Sequence, residues 1–166
     1  MDTFLAIASK RDTRRYADRP IPEDVQYRIL DAGRLAGSAR NRQPWRFLVV
    51  DSADRREHIA EAVYAAENVR GAQLVVAIVG SNGLDAGRCL QNMMLAAWND
   101  GVASCPNGVA DAEKARAALG LGADDAIAVV LTFGFPEQSR SPGRRSPSDW
   151  SARADRKPLD ELVERL

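Results

Sequence analysis

The chain has 166 residues, 45% of them apolar, and its 23 Lys and Arg balance 23 Asp and Glu. That length and apolar share suit one globular domain over 1–166, and a formal charge of zero gives no global pull toward nucleic acid or anionic lipid. One histidine and two cysteines leave almost no material for a zinc site, a serine–histidine triad or a disulfide scaffold. The longest apolar run, Leu74–Val79, is strand-sized rather than membrane-sized. At the N-terminus an acid, Asp2, comes first and the basic residues follow the apolar stretch, the reverse of a secretory signal. Together these features predict a cytoplasmic, metal-free, single-domain protein.

In chain order, residues 2–11 predict a helix with Phe4, Leu5, Ile7 and Ala8 as its apolar face. Pro20 and Pro22 push their predecessors into extended backbone, so 11–22 leaves the helix. A second helix opens at Pro22-Glu23-Asp24, with proline in the first turn and two acids complementing the dipole. Val25, Ile29, Leu30, Ala32, Gly33 and Ala36 form its inward stripe. A strand over 47–50 and a helix over 53–66, carrying a His58 that is either solvent-facing or merely packed, come next. The strand over 74–79 is apolar on both faces and therefore central to a sheet. The helix over 85–100, DAGRCLQNMMLAAWND, is apolar nearly all round, which suits the core or a subunit interface, and Gly101 ends it.

A small-residue loop over 103–109, a short helix over 112–119 and a two-sided strand over 126–133 complete the predicted core. Past Gly134-Phe135-Pro136, residues 137–158 are rich in Ser, Pro and Gly. They carry six cations (Arg140, Arg144, Arg145, Arg153, Arg156, Lys157) against three acids, the composition of an exposed surface loop. Residues 158–163 read as ordered again. Because helices precede the first strand, the pattern favours α+β over a doubly wound sheet. Neither G-x-G-x-x-G after a strand nor a Walker A sequence is present.

Two stretches carry candidate chemistry. Residues 35–47, LAGSARNRQPWRF, join small Gly37, Ser38 and Ala39 to Asn41 and Gln43, whose amides each donate and accept. Such groups suit a flat heteroaromatic ring with a polar edge, although the same composition serves an ordinary helix-to-strand turn. Upstream, Lys10, Arg11 and Arg14 lie where a helix gives way to a proline-bounded loop, with the Thr13 hydroxyl among them. Guanidinium offers phosphate a rigid fork, so this cluster is a candidate phosphate clamp, and Arg156-Lys157 is a candidate second arm. Asp12 inside it fits if it orients the flanking arginines or accepts from a neutral hydroxyl. Taken singly, each cation is equally a solvated surface charge.

These segments resemble the nitroreductase family of flavin mononucleotide (FMN) enzymes. The matching residues are K-R-D-T-R-R-Y-A-D-R-P-I-P, I-L-D-A-G-R-L-A-G-S-A-R-N-R-Q-P-W-R-F-L-V-V, the D-A-G-R-C-L-Q-N-M-M-L-A-A helix, L-T-F-G-F-P and the terminal R-K-P-L-D-E-L-V. They run in order over nearly the whole chain. The resemblance implies an α+β three-layer fold, a central mixed sheet flanked by helices, and a homodimer with the core helix at the interface. It also implies that Lys10, Arg11, Asp12 and Arg14 hold the phosphate and ribityl chain of FMN, completed by Arg156 and Lys157. Ser38, Ala39, Arg40, Asn41 and Gln43 would come from the other protomer to line the ring or ribityl chain. Ser104, Cys105, Pro106, Asn107 and Gly108 would cover a ring face or its N5 edge through backbone groups. Asn68 and Arg70 fall loosely at the pyrimidine edge.

Gly37 departs from the family by standing where proline is usual, and the C-terminal arm after R-K-P-L is short. The implied reaction is ping-pong: NAD(P)H reduces the flavin, which then reduces an electron-poor acceptor of nitroaromatic, quinone or enone type. The flavin carries the chemistry, and no general acid stands out. The alternatives are an FMN-sequestering protein without turnover, or a relative with specialised chemistry such as reduced-flavin fragmentation or dehalogenation. Neither nucleic acid nor membrane is an expected partner. Cys105 reads as packing or as a contact to flavin or substrate, Cys89 as core, and Trp150 as a pocket cap.

Overall fold

The computed structural model describes residues 1–80, 83–139 and 141–166; Arg140, one of the six cations of the basic stretch, lies outside them. Leu74–Val79 forms β2, buried along its whole length. With β1 (Arg46–Val49), β3 (Ala103–Asn107) and β4 (Ile127–Gly134) it makes a four-stranded sheet in the order β1-β2-β4-β3. Among the described residues seven helices surround it: α1 (Thr3–Ser9), α2 (Glu23–Arg34), α3 (Ala53–Glu61), α4 (Ala66–Arg70), α5 (Gly83–Asn99), α6 (Ala112–Leu119) and α7 (Pro147–Ala152). Successive side chains of β2 and β4 point to opposite faces and so feed two cores. Val76, Ile78, Leu131 and Phe133 pack with Ile29 of α2 and Cys89, Met93 and Ala97 of α5. Val75, Ala77, Val79 and Val130 pack with Ile59, Val69, Ala115 and Leu119 of α3, α4 and α6. The result is three layers, as expected.

All three strand pairings are antiparallel, which corrects the expected mixed sheet. The parallel element is one isolated bridge, Asp12 to Ser104, where the Thr13 amide donates to the Ser104 carbonyl at 3.1 Å. The basic segment touches the β3 edge there, and by Tyr16 it has moved on to bridge Pro136. β3 itself replaces an expected loop. Its Pro106 is tolerated because β3 lies at the edge of the sheet, where a missing amide donor is affordable.

Other boundaries moved for local reasons. The helix expected over 53–66 breaks after Glu61, because Val63 bridges Val109 and the Tyr64 amide donates to Gly108. In α1, Phe4 and Ile7 are 60% and 51% exposed, so its apolar face does not point wholly inward. The basic stretch is not all loop. Ser146 and Asp149 form a capping box and Pro147 occupies the first turn, which together start α7. Residues 158–163 hold only a 3-10 turn, Leu159–Glu161, on the surface.

One contact ties the front of the chain to the sheet. The Tyr16 ring lies on Gly134, where a Cβ would stand 2.6 Å from Tyr16 Cβ and Cγ. Its phenol reaches the Thr132 carbonyl at 3.2 Å and Oγ1 at 3.0 Å. Burial raises the Tyr16 pKa to about 12, against the pull of its hydrogen bonds to Thr132 and Asn68. Gly134→Ala should cost on the order of 1–3 kcal/mol in urea unfolding, since the atoms it meets adjoin the backbone. The folded chain keeps the Tyr16 proton that the unfolded chain releases near pH 10. Stability is therefore intact below about pH 10 and falls by roughly 2–3 kcal/mol as pH rises toward 12. In Tyr16→Phe that part of the slope should vanish in thermal unfolding across the same range.

Candidate functional site: a basic cleft beside the β3 edge

α1 ends when Lys10 turns extended at φ −61, ψ 132, although its amide still donates to Ala6. The Lys10 side chain is held between α5 and the loop: it ion-pairs with Asp12, and Nζ lies 3.1 Å from Met94 Sδ. Asp12 thus orients the lysine rather than the flanking arginines. Arg11 Nη1 donates to the Ala8 and Lys10 carbonyls, both at 2.7 Å, and Nη2 to the Trp150 carbonyl at 3.2 Å. Lys10, Arg11 and Asp12 share an open cleft of about 450 Å³ with Pro106 of β3 and Arg156. Phe4 and Ile7 of α1, Gln91 and Met94 of α5, and Ser151 and Ala154 add the remaining walls.

Cations therefore share the walls of the cleft with a phenyl ring, an isoleucine and a thioether. This donor set fits an elongated ligand with an anionic end and a flat apolar body. In the sequence Phe4 and Ile7 read as part of the apolar face of the first helix. Their failure to find buried positions is the signal that locates this wall, and it needs the structure to be seen.

The remaining expected residues fall into three groups. Arg14 is exposed but reaches the Cys105 thiol, and Lys157 is exposed and does not border the cleft. Ser104, Cys105 and Asn107 are buried, so only Pro106 presents a side chain to the cleft, and Gly108 lies against the Tyr64 ring. The Asn107 amide donates to the Cys105 carbonyl at 3.2 Å, the Val130 carbonyl at 3.3 Å and Thr132 Oγ1 at 3.3 Å. Asn68 joins the same network by accepting from Thr132 Oγ1 at 2.6 Å. Arg70 pairs with Glu57 and Glu67 on the surface instead, and neither Asn68 nor Arg70 borders the cleft.

The third group is the turn after α2. Ala39, Arg40, Asn41 and Gln43 are exposed, and Ser38 Oγ accepts from the Gln43 amide at 2.9 Å. Arg40, Asn41 and Gln43 all hold left-handed backbone (φ 54, 55 and 49), unusual for residues with a Cβ. Gln43 borders a different cleft, with Tyr27, Trp45 and Phe47. One chain alone does not bring this turn to the basic cleft. Gly37 faces Arg88, and a Cβ there would stand 2.4 Å from Nη2, so the guanidinium fills the space beside the glycine.

Trp150 is pinned within its own segment: Nε1 donates to the Pro142 carbonyl at 2.8 Å and Arg145 sits 5.0 Å from the ring centroid. It does not border the cleft. Both thiols are free and buried. Burial pushes Cys89 up to about 11, and burial followed by the Asp12 charge raises Cys105 against the pull of Arg14 and Lys10. At neutral pH neither should react with an aromatic disulfide reagent in the folded protein, and unfolding in urea should release both for titration.

A sequence profile of the nitroreductase family matches residues 7–83 and 80–135. A Methanothermobacter thermautotrophicus protein with the provisional name NADH dehydrogenase/NAD(P)H nitroreductase is 31% identical over 66% of this chain and 62% of its own length. An Archaeoglobus fulgidus protein with the same provisional name is 30% identical over 81% of this chain and 85% of its own. Among solved structures, a provisional nitroreductase of Desulfovibrio desulfuricans in complex with FMN superposes with a TM-score of 0.84 at 29% identity, covering 100% of this chain and 98% of that one. With the layered fold, the basic cleft and a profile that covers most of its length, this chain belongs to the nitroreductase family.

Proposed function

We propose that the protein is an FMN-dependent oxidoreductase that moves electrons from NAD(P)H to an electron-poor acceptor of nitroaromatic, quinone or enone type. The observation that carries this reading is the gathering of Lys10, Arg11 and Arg156 at a cleft whose other walls are Phe4, Ile7 and Met94. Lys10 and Arg156 would hold the phosphate, with Asp12 keeping the ammonium aimed into the cleft. Backbone groups around Pro106 would border the ring, and the apolar wall would exclude water from it. Bound flavin supplies the two-electron transfer between nicotinamide and acceptor. Protons would come from solvent or substrate.

The site is completed by a second copy of the chain. Ser38 to Gln43 stand away from the basic cleft, and Leu35 and Leu84 beside that region are 65% and 73% exposed. Large apolar side chains left in water at that density mark a surface that is covered in use. A homodimer would bury them and bring the amide-rich turn of one protomer to the cleft of the other. Among the described residues no helix is long and apolar enough to cross a membrane, and the proposed place of action is the cytoplasm.

Saturating the purified protein with FMN should give a yellow complex that NADH or NADPH bleaches without oxygen and that a quinone recolours. A complex that binds FMN yet never bleaches would mean sequestration instead. Lys10→Met should weaken FMN roughly 10–100-fold in fluorescence titration, the weight of a charge-assisted bond, and leave riboflavin nearly unaffected. Sedimentation should report a dimer; a monomer with full turnover would overturn the shared site.

A further inference from the structure

We infer that Tyr64 is a specificity-determining residue: its ring stands at the far end of the β3 edge, where it stacks on flat aromatic acceptors as they reach the cofactor. This rests on the FMN reading and narrows its acceptors to quinones and nitroaromatics over oxidants that have no ring. The outer edge of β3 leads to Tyr64. Backbone groups alternate sides along a strand, so those of Ser104, Pro106 and Gly108 share the edge that β4 leaves open. The Thr13 amide donates to the Ser104 carbonyl at 3.1 Å, and the Tyr64 amide to the Gly108 carbonyl at 3.2 Å. Pro106, between them, has no amide hydrogen to offer. The edge is thus closed at both ends and open in the middle, and Pro106 is where it borders the cleft. At about 3.3 Å per residue, the basic segment and Tyr64 hold points on the edge roughly 13 Å apart.

Side chains alternate faces as well. A side chain at 108 would rise on the face that carries Pro106, and a Cβ there would lie 3.2 Å from the Tyr64 ring. The ring is therefore on the cleft side of the sheet edge, and the glycine is what lets it rest against backbone. Its own backbone is fixed by the amide bond to Gly108 and by the bridge from Val63 to Val109. The rest of the side chain is bare: Tyr64 is 81% exposed, more than any other aromatic residue among those described. A single exposed ring means little by itself. This one adjoins the stretch of β3 that borders the cleft, on a fixed backbone, with an open surface to offer. Such a ring gains from an offset or edge-on aromatic partner and gains nothing comparable from an acceptor without one.

Turnover of the FMN-loaded protein with NADH or NADPH tests this against two acceptors: a naphthoquinone, which can stack, and ferricyanide, which cannot. In Tyr64→Leu the ratio of naphthoquinone to ferricyanide kcat/KM should fall roughly threefold to tenfold, the weight of one aromatic pair. Tyr64→Phe, which keeps the ring, should hold that ratio within about twofold of wild type. The FMN dissociation constant and the sedimentation of Tyr64→Leu should match wild type. An unchanged ratio in Tyr64→Leu would overturn the inference, and so would an equal fall in Tyr64→Phe. If Tyr64→Leu instead loses FMN, Tyr64 is a cofactor contact; if it dissociates to monomers, Tyr64 is an interface anchor. Either result rules out acceptor selection by this ring. Failure of the oxidoreductase reading shows separately, as wild-type protein that turns over neither acceptor, and the inference falls with it.

Discussion

The hydrogen bond from the Thr13 amide to Ser104, followed at once by the Tyr16 ring on Gly134, fixes where the cations of residues 10–14 can go. Without it, Lys10 to Arg14 would be a flexible basic link between two helices. With it, that link runs along the open edge of β3 and delivers Lys10 and Asp12 beside Pro106. The edge in turn loses some of its exposed ladder, which would otherwise be a pairing hazard. Sheet order is the deeper cause: because β3 lies outermost, a cleft can form at its edge without opening the core.

Much of the fold could be read from residue pattern. The all-apolar Leu74–Val79 announced a central strand, and the cap signals placed α2, α5 and α6 to within a few residues. What escaped has a common physical origin. Strand direction is not encoded in alternation, so an antiparallel sheet reads the same as a mixed one. β3 is short, small and proline-bearing, and only its neighbour β4 makes it a strand. For the site, residue chemistry singled out Lys10, Arg11, Asp12 and Arg156, and these do converge. Pattern reading could not tell which cation at the cleft would also bond backbone carbonyls, as Arg11 does, because all look alike until the carbonyls are located. Nor could it see that Phe4 and Ile7 form a wall, since an amphipathic stripe does not say what it will meet.

The distribution of strain and exposure divides the molecule. The sheet and the faces of α5, α3 and α6 against it are buried and regular, whereas the turn over 38–43 holds three left-handed side-chain-bearing residues in solvent. Such backbone persists where surrounding contacts over-determine it. Here the supports are local: the Asn41 and Arg42 amides donate to the Ser38 and Ala39 carbonyls, Ser38 Oγ accepts from the Gln43 amide, and the Gln43 side chain returns to the Asn41 carbonyl at 3.3 Å. The turn is therefore a part of the fold that a second surface pressed against it would support.

The placement of the two sulfhydryl groups bears on how such a protein survives its own chemistry. A chain that passes electrons in air generates peroxide at its own surface, and the first casualties of peroxide are ionised, accessible sulfurs. Cys89 and Cys105 are shielded from solvent and held protonated. They offer no side exit for reducing equivalents and no foothold for self-inflicted oxidation, so wear over many turnovers should fall on the methionines and the cofactor instead.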